Sequence, residues 1–351
     1  MFGAGPAGAA AALALARQGL RVALVDQQRP AAINVGETVP PTIKRSLARL
    51  GIWATFLAAR HQRSAGMVVS WGKDEPYENE FIYNPYGCGW HLNREAFDQM
   101  LVSAAKEAGT TIYKIVGSPD CDRDGRTIIA HTETEDVILT ARWLVDATGR
   151  RAWLARRRGV RRRAIDRMIA LVRFGRSLSG EDRTFIEARP TGWWYAAQLP
   201  NNRAVAAFFT DADLIPRGEN SWNNPVKETQ LISGIIGSCF DWSPVSVIPA
   251  SSGRLEACAG DDWIAIGDAA QSYDPCSGQG IVKALDTAIN SAALISAQTR
   301  GEALNVELLQ ERADAEFQQF LLMRSAHYQC ERRWPDNSFW ARRRIPDQDL
   351  D

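Results

Sequence analysis

The first 26 residues show the apolar and polar pattern of a β-α-β unit. In "MFGAGPAGAAAALALARQGLRVALVD" a Gly-rich turn follows a short apolar start, and an Ala-rich run comes next. A second apolar run, "RVALV", then ends at Asp26. A continuous apolar run with Gly19 at its end is typical of a buried helix. The pattern predicts a strand, a turn, a helix and a second, parallel strand.

The first strand of this unit is short in the sequence. Only Met1 and Phe2 precede Gly3, whereas a strand ordinarily contains about five residues. We therefore expect the complete strand to include residues upstream of Met1.

The middle of the chain, from about 160 to 255, consists of short apolar or alternating runs separated by turn residues. Four of these runs are "RMIALVRFG", "TFIEAR", "GWWYAAQLP" and "RAVAAFFTD". Such a pattern predicts an antiparallel sheet. Residues 60–90 are expected to add strands to the same sheet, and residues 215–250 to form a loop followed by a helix.

Composition limits the possible functions. The 351 residues are 45% hydrophobic and 23% charged, with a net charge of +0, so nothing favours nucleic acid or an anionic membrane as a partner. We find no signal peptide and no run near the ~20 apolar residues of a membrane span, and we expect a cytoplasmic protein. The six cysteines lack CxxC spacing, so we expect neither a metal site nor a disulfide framework.

Gly3, Gly5 and Gly8 form a GxGxxG motif, which is typical of dinucleotide binding. Gly3 permits a tight turn, Gly5 lets the backbone approach a pyrophosphate, and Gly8 lets the helix pack closely on the strand. Asp26 is placed to accept hydrogen bonds from an adenosine ribose. The neighbouring residues that we include in the same binding site are Pro6, Ala7 and Gln27.

The segment "WIAIGDAAQSYDPCSGQGIVKAL", residues 263–285, predicts a strand, a permissive loop and a helix. Together with the GxGxxG start, its "GDAA…P…SGQG" resembles the flavin hydroxylase superfamily, which binds FAD. The resemblance implies that Gly267 and Asp268 contact the ribityl and pyrophosphate region. It also implies that the following loop lies along the flavin, where side chains would be in the way. The loop residues assigned to FAD are Pro275, Gly278, Gln279 and Gly280.

Two further motifs support this resemblance in chain order. "WLVDATGRRAWLARRRG", residues 143–159, resembles the second strand and turn that approach the cofactor, which implies FAD contacts at Ala147 and Gly149. Arg94, at the start of "REAFDQMLVSAAKEAG", matches a family arginine that reaches FAD.

These patterns together predict an α/β fold, in which a Rossmann-like FAD-binding domain is interleaved with an antiparallel-sheet substrate domain and followed by C-terminal helices. The helical spacing of residues 282–330 predicts helices that pack on the FAD-binding domain. The expected boundaries are 1–60, 92–158 and 255–300 for the FAD-binding domain, 61–91 and 159–254 for the substrate domain, and 301–351 for the C-terminal helical segment.

Longer stretches resemble the halogenase-like flavoproteins, and within them the monooxygenases that modify tryptophan in partner proteins during biogenesis of the quinone cofactor cysteine tryptophylquinone. The stretches are 36–52, 84–101, 192–214 and 328–344. This resemblance implies hydroxylation of an indole through a flavin C4a-hydroperoxide, with O2 as co-substrate. It also implies NAD(P)H or a separate flavin reductase as the electron source, and a protein or peptide that bears Trp as the partner.

Halogenation of an aromatic substrate is the second possible function. Flavin halogenases of the tryptophan type carry a WxWxIP motif and an essential lysine, and this sequence has no WxWxIP. Arg63 stands where the lysine is expected, and a guanidinium stays protonated and is a poor nucleophile. Lys73 is interpreted as a solvated loop residue. A third possible function is that of an FAD-dependent reductase of the isoprenoid type, and a fourth is that of a flavoprotein that acts mainly as a maturation partner.

Few side chains are needed for catalysis, because the flavin carries the oxygen and the protein supplies geometry and dryness. Glu37, in the loop "GETVPP", resembles a position that lies near the flavin in this family, which implies a candidate base; the alternative is a helix-capping carboxylate. His91 lies three residues before Arg94 and titrates near neutrality when unperturbed, which makes it a candidate; the alternative is a satisfied structural histidine. Tyr195 is a possible substrate contact.

Overall fold

The structure is a computed structural model that describes residues 1–27, 35–121, 126–215, 222–303 and 305–344. The α-helices in these ranges are α1 Pro6–Arg17, α2 Ile43–Arg49, α3 Trp53–Ala58, α4 Arg94–Glu107, α5 Trp153–Arg157, α6 Asn223–Lys227, α7 Leu231–Gly237, α8 Gly280–Thr299, α9 Val306–Gln329 and α10 Ser338–Arg344. The strands of the N-terminal half are β1 Ala23–Gln27, β2 Thr38–Val39, β3 Gln62–Ser64, β4 Gly66–Ser70, β5 Tyr77–Glu80, β6 Gly89–His91, β7 Thr111–Ile115, β8 Asp120–Cys121, β9 Thr127–His131, β10 Asp136–Thr140 and β11 Leu144–Asp146. The remaining strands are β12 Arg162–Ala164, β13 Met168–Ser177, β14 Thr184–Arg189, β15 Gly192–Leu199, β16 Arg203–Asp211, β17 Cys239–Phe240, β18 Ser246–Pro249, β19 Gly253–Leu255, β20 Trp263–Ala265 and β21 Gln271–Ser272.

A parallel sheet forms the first layer, and Phe2 lies at its centre. β1 pairs with β7 and β11 pairs with β20, both in parallel register. Phe2 joins the two pairs, because it bridges Val25 on one side and Asp146 on the other. The first residues of the chain therefore occupy the central strand position that the β-α-β pattern predicts.

Helix α1 packs on this sheet and against α4 and α8. Its middle turns expose almost no surface, and the residues there are the alanines 9, 10, 11 and 12. Because an alanine ends at its Cβ atom, the neighbouring helices approach α1 closely, and together they form the largest apolar core. The Ala-rich run is therefore a packing feature as well as a good helix former.

The second layer is a large sheet with strand order β17-β13-β16-β15-β14-β4-β5, in which β18 also pairs with β13. Its neighbours are antiparallel except for β14 and β4, which are parallel. The α/β fold with an antiparallel-sheet layer is as the sequence predicts. The positions of the domain boundaries remain predictions.

The structure corrects two details of these expectations. Only β4 and β5 from residues 60–90 join the large sheet, whereas β6 pairs with β2 on one side and with β3 on the other in a separate small sheet. Residues 222–250 contain two short helices, α6 and α7, followed by β17 and β18.

The C-terminal helices pack on the first layer only in part, since Val306, Leu309 and Ala313 at the start of α9 contact the core around α1. Helix α8 lies on α1 as predicted. Tyr328 of α9 and Phe339 and Trp340 of α10, however, are fully buried in the core beneath the large sheet. The cause is aromatic complementarity, because Tyr328 and Trp340 pack edge-on against Trp71 of the sheet side. Phe339 packs on both of these rings. Among the described residues, no helix is both long and apolar enough to cross a membrane.

Two adjacent arginines of α10 provide a matched test of how this helix is held. Arg343 and Asp211 are almost fully buried and lie 2.5 Å apart, whereas Arg342 is 45% exposed and lies 2.9 Å from the same carboxylate. We expect Arg343→Met to lower the free energy of unfolding by about 3 kcal/mol, because Asp211 stays buried with only a solvent-exposed partner. Arg342→Met should cost at most about 1 kcal/mol. Urea denaturation of both variants tests this, and equal losses would contradict it.

Candidate functional site

A cavity of about 2350 Å³ lies between the parallel sheet and the large sheet. Ordinary small-molecule pockets have volumes of about 300–1,000 Å³. The cavity therefore has room for a dinucleotide and a second molecule. One end is formed by residues 3–7 with the ends of β1 and β11, and the other by the inner face of the large sheet.

The turn at residues 3–8 requires glycine at two positions. Gly3 has a φ of +92°, and a Cβ atom there would lie 2.5 Å from the carbonyl oxygen of Ala147. A Cβ atom on Gly8 would lie 1.9 Å from the carbonyl oxygen of Gly3. Gly8 therefore lies behind the cavity wall and sets the contact between helix and strand, while Gly3, Gly5, Pro6, Ala7 and Ala147 line the cavity.

Helix α1 begins at this wall with an open N-terminus. Gly5 is its N-cap, Pro6 occupies the first turn, and no side chain of the described residues caps the helix. First-turn amides have no acceptor inside a helix, and the positive end of the helix dipole lies among them. A pyrophosphate is the ligand that such an end binds well. The cradle therefore fits the pyrophosphate of FAD.

Asp26 and Gln27 lie at the carboxyl end of β1, on the same wall. One carboxylate oxygen of Asp26 accepts a 2.9 Å hydrogen bond from the amide of Ala4. The other lies 3.5 Å from Lys114 Nζ. This orientation leaves acceptor capacity for a ribose hydroxyl group, as the motif predicts. The Gln27 amide oxygen accepts a 3.0 Å hydrogen bond from Arg151.

Asp268 lines the cavity within a group of positive side chains. Lys283 Nζ lies 3.2 Å and Arg150 Nε 3.7 Å from its carboxylate oxygens. Burial alone raises the pKa of Asp268, but the charges of Lys283 and Arg150 outweigh it and hold the pKa below its ordinary value. Asp268 is therefore an anion that can accept hydrogen bonds from sugar or ribityl hydroxyl groups.

Arg94 begins α4, whose N-cap is Asn93. Its guanidinium lies 3.1 Å from Asp98 and donates to the carbonyl oxygen of Val35. It lines the cavity beside Gly36. The side chain is thus held in place by its neighbours, and a contact with FAD remains a prediction.

Residues 273–280, called the cofactor loop here, form the wall between the two ends of the cavity. An added Cβ atom at Gly278 or Gly280 would meet no protein atom within 4 Å. Gly149 also lines the cavity, as does Pro275 of the cofactor loop. Gln279 and Gly267 were also assigned to FAD, but neither is part of the described cavity lining, and Gly267 lies against Ala7.

Four aromatic rings line the substrate end of the cavity, and we call them the aromatic wall. They are Phe174, Trp193, Tyr195 and Phe209. Trp193 and Phe209 are stacked, with ring centroids 4.0 Å apart. Trp194, which follows Trp193 on the strand, points to the opposite face of the sheet and packs on Trp222. A flat apolar wall of this kind suits an aromatic guest.

Glu37 and Tyr195 meet at the aromatic wall through Thr38. The hydroxyl groups of Tyr195 and Thr38 are 2.7 Å apart. Glu37 is 4% exposed and lines the cavity, and its Oε1 atom has no hydrogen-bond partner among the described residues. Burial raises the pKa of Glu37, although the positive charge of Arg94 opposes this. Burial, and then the charge of Glu37, also raises the pKa of Tyr195, which keeps its proton.

His91 is not brought to the cavity. Its ring is fully buried, and Nε2 lies 3.0 Å from the hydroxyl group of Thr184, which itself lines the cavity. Burial lowers the pKa of His91 to about 4, so the ring is neutral at pH 7. Of the three predicted catalytic residues, the structure therefore places Glu37 and Tyr195 together and His91 behind the wall.

Sequence reasoning missed Thr38 and Asp274 as site residues. Thr38 follows Glu37 directly in sequence. That its hydroxyl group meets Tyr195 depends on the tertiary structure, in which β2 pairs with β6. Asp274 is the N-cap of the short turn 275–277 in the cofactor loop. An acid immediately before a proline is a capping signal that could have identified it.

The described residues that line the substrate end of the cavity include no lysine. The lysines among the described lining residues are Lys106 and Lys114, which belong to α4 and β7 at the dinucleotide end. Arg63 stacks over Trp90 at 5.9 Å and Lys73 over Tyr77 at 5.4 Å. Neither belongs to the described lining.

The fold and the cradle define a dinucleotide-binding flavoprotein. The FAD-binding domain family matches residues 1–317, and the chain belongs to that family. Within it, the chain falls in the flavin-dependent halogenase and hydroxylase-like superfamily. The predictions of an FAD-dependent enzyme and of an α/β FAD-binding fold are confirmed.

Three similar proteins support this assignment. The putative FAD-dependent oxidoreductase LodB of Marinomonas mediterranea is 30% identical over 355 residues, covering 98% of this chain and 95% of LodB. The myxobacterial chondrochloren halogenase CndH superposes with a TM-score of 0.86 at 22% identity, over 99% of this chain and 86% of CndH. The peptidyl tryptophan dihydroxylase QhpG, essential for tryptophylquinone cofactor biogenesis, superposes with a TM-score of 0.80 at 25% identity, over 100% of this chain and 79% of QhpG.

Two glycine variants separate the architecture of the cradle from its contact with FAD. Gly8→Ala places a methyl group against the backbone of Gly3, so it should lower both the stability of the FAD-free protein and its FAD affinity. A methyl group on Gly5 meets no protein atom within 4 Å, so Gly5→Ala should leave stability unchanged and weaken FAD binding about tenfold or more. Thermal unfolding and flavin fluorescence titration measure the two effects. Unchanged FAD affinity in Gly5→Ala would contradict the placement of the pyrophosphate.

Proposed function

We propose that the protein is an FAD-dependent monooxygenase that hydroxylates the indole ring of a tryptophan side chain carried by a partner protein or peptide. The electrons come from NAD(P)H or from a separate flavin reductase, and O2 is the co-substrate. The observation that carries the proposal is the buried carboxyl group of Glu37, whose Oε1 atom lacks a partner among the described residues at the aromatic end of an FAD-sized cavity.

FAD, when bound and reduced, supplies the activation of O2 and the transfer of one oxygen atom. The chain itself orients the substrate ring and excludes water. Phe209 is stacked on the buried ring of Trp193 and, with Phe174, gives the cavity a rigid aromatic lining for an indole, and offset stacking of aromatic rings is favourable. Val172, Val205 and Ile248 complete an apolar lining around it.

Glu37 suits the indole N–H group. A carboxylate accepts this hydrogen bond, increases the electron density of the ring, and takes up the proton released when the ring regains aromaticity. Tyr195 keeps its proton and is placed to donate a hydrogen bond, since its hydroxyl group lies beside Thr38 in the same wall. The two groups together give one acceptor and one donor at the substrate end.

Hydroxylation is favoured over halogenation because the described lining of the substrate end contains no lysine. A halogenase of the tryptophan type uses a lysine to receive hypohalous acid, and the lysines of the described cavity lining are at the dinucleotide end. Likeness to CndH at 22% identity concerns the fold alone. The name of QhpG, a peptidyl tryptophan dihydroxylase, is consistent with a substrate carried on a polypeptide.

A product assay tests the proposal. The FAD-loaded protein is supplied with NADH, a flavin reductase and O2, together with tryptophan-containing peptides or free tryptophan, in buffer with and without bromide. We expect peptides to gain the mass of one or more oxygen atoms, whether or not bromide is present, and free tryptophan to react poorly. A bromide-dependent gain of bromine instead of oxygen would establish a halogenase.

The charge state of Glu37 predicts a pH dependence. The carboxylate is the active form, and burial raises the pKa of Glu37. As the pH is lowered, the rate should therefore begin to fall at pH values higher than about 4.3, the ordinary pKa of glutamate. Glu37→Gln should lower kcat about a hundredfold and remove this acidic limb. The exposed Glu80→Gln on β5 is the control and should retain both.

Glu37→Gln should lower activity but should not lower the stability of the protein. A raised folded-state pKa means that the ionised Glu37 destabilises the fold at pH values above that pKa. Glu37→Gln should therefore leave the Tm of the FAD-free protein equal to or above that of the wild type at pH 8. A large loss of Tm would mean that the side chain is structural.

A further inference from the structure

A chain of buried hydrogen bonds joins the aromatic wall to the cofactor loop through α9. Trp193 Nε1 lies 3.0 Å from the hydroxyl oxygen of Tyr328. The same hydroxyl group lies 3.0 Å from a carboxylate oxygen of Asp274. Tyr328 is fully buried and Asp274 is 1% exposed. Three elements that are distant in sequence are thus connected by two hydrogen bonds.

The direction of these bonds is determined by chemistry. An indole N–H group can only donate, and a carboxylate can only accept. Burial, and then the charge of Asp274, raises the pKa of Tyr328 well above its ordinary value, so the phenol keeps its single proton. Trp193 therefore donates to Tyr328, and Tyr328 donates to Asp274.

Arg324 connects α9 and the cofactor loop to a second strand of the large sheet, β13. Its Nε atom lies 2.9 Å from Asp274 and its Nη2 atom 2.8 Å from Asp166. Asp166 in turn accepts a 3.0 Å hydrogen bond from the amide of Met168, where β13 begins. Arg324 and Tyr328 are four residues apart, so both project from one face of α9.

Both ends of this network line the cavity, and its middle does not. Asp274 and Cys276 of the cofactor loop are cavity residues, as is Trp193 of the aromatic wall. Arg324 and Tyr328 are outside the described lining. The other carboxylate oxygen of Asp274 accepts a 3.0 Å hydrogen bond from the amide of Cys276 and so shapes the loop turn.

We propose that Arg324 and Tyr328 are positioning residues: they hold the cofactor loop and the aromatic wall at a set separation, and they balance the charge of Asp274 beside the bound FAD. The proposal rests on FAD binding and not on which substrate reacts. It assigns α9 to the active site although α9 contributes no described side chain to the cavity lining.

The electrostatic consequence can be measured without a substrate. Reduction adds negative charge to the flavin, and a carboxylate without its donors opposes that charge strongly in a buried site. Loss of the Tyr328 hydroxyl group leaves Asp274 with only Arg324 and Cys276 as donors among the described residues. The bound flavin should then be harder to reduce.

The test is the midpoint potential of bound FAD in Tyr328→Phe, which keeps the ring and removes the hydroxyl group. We expect reduced FAD to bind about tenfold more weakly relative to oxidised FAD, equivalent to a shift of about 30 mV to more negative potential. The matched control is Trp340→Phe. Trp340 is equally buried in the same core and donates to the backbone oxygen of Arg189 at 2.9 Å, but this bond does not lead to the loop.

A purely structural role predicts similar stability losses in both variants and an unchanged potential in each, and that result would overturn the proposal. Arg324→Lys is the second probe, because one ammonium group cannot reproduce the fork that joins Asp166 to Asp274. It should also shift the potential to more negative values. These readouts need no substrate, so failure of the hydroxylation assay would leave them unaffected.

Discussion

The contact between Gly8 and the carbonyl oxygen of Gly3 is the constraint on which the rest of the site depends. It lets α1 begin against the central strand position at Phe2, so the open end of the helix faces the cavity. A larger residue at position 8 would push the helix away and remove the phosphate cradle. The same closeness continues along α1, where alanines allow α4 and α8 to pack tightly. The turn thus sets both the cofactor site and the packing of the first layer.

The two ends of the cavity differ in charge and polarity. At the dinucleotide end, Asp268 lies among Lys283 and Arg150, and Asp26 lies beside Lys114, so charges there are compensated. At the other end the lining is mostly apolar, and the carboxyl group of Glu37 has an atom without a partner among the described residues. Unpaired polar atoms in buried positions are costly, and such positions are where function is expected. The buried network through Arg324 and Tyr328 joins the aromatic wall to the cofactor loop.

Much of the fold and the cofactor end could be predicted because their signals are local. The β-α-β unit, the GxGxxG turn and the strand-loop-helix at 263–285 each consist of neighbouring residues whose types reflect backbone geometry. The substrate end was less predictable. Glu37 was a candidate from resemblance and Tyr195 a possible substrate contact, and the structure brings them together through Thr38. His91 was chosen with them for its proximity to Arg94 in sequence, yet its ring lies behind Thr184. Sequence proximity does not specify which face of a short strand meets the cavity.

The sequence by itself determined the family, the cofactor and the α/β class, because turn glycines, apolar periodicity and motif order are properties of local chain segments. Only the tertiary structure decided that β3 and β6 leave the large sheet, that α9 and α10 pack beneath it, and that Asp274 is held by Arg324 and Tyr328. These features arise from pairings between residues tens to hundreds of positions apart. Their energies depend on burial and on the donor or acceptor that the partner supplies, and neither quantity can be read from a single stretch of chain.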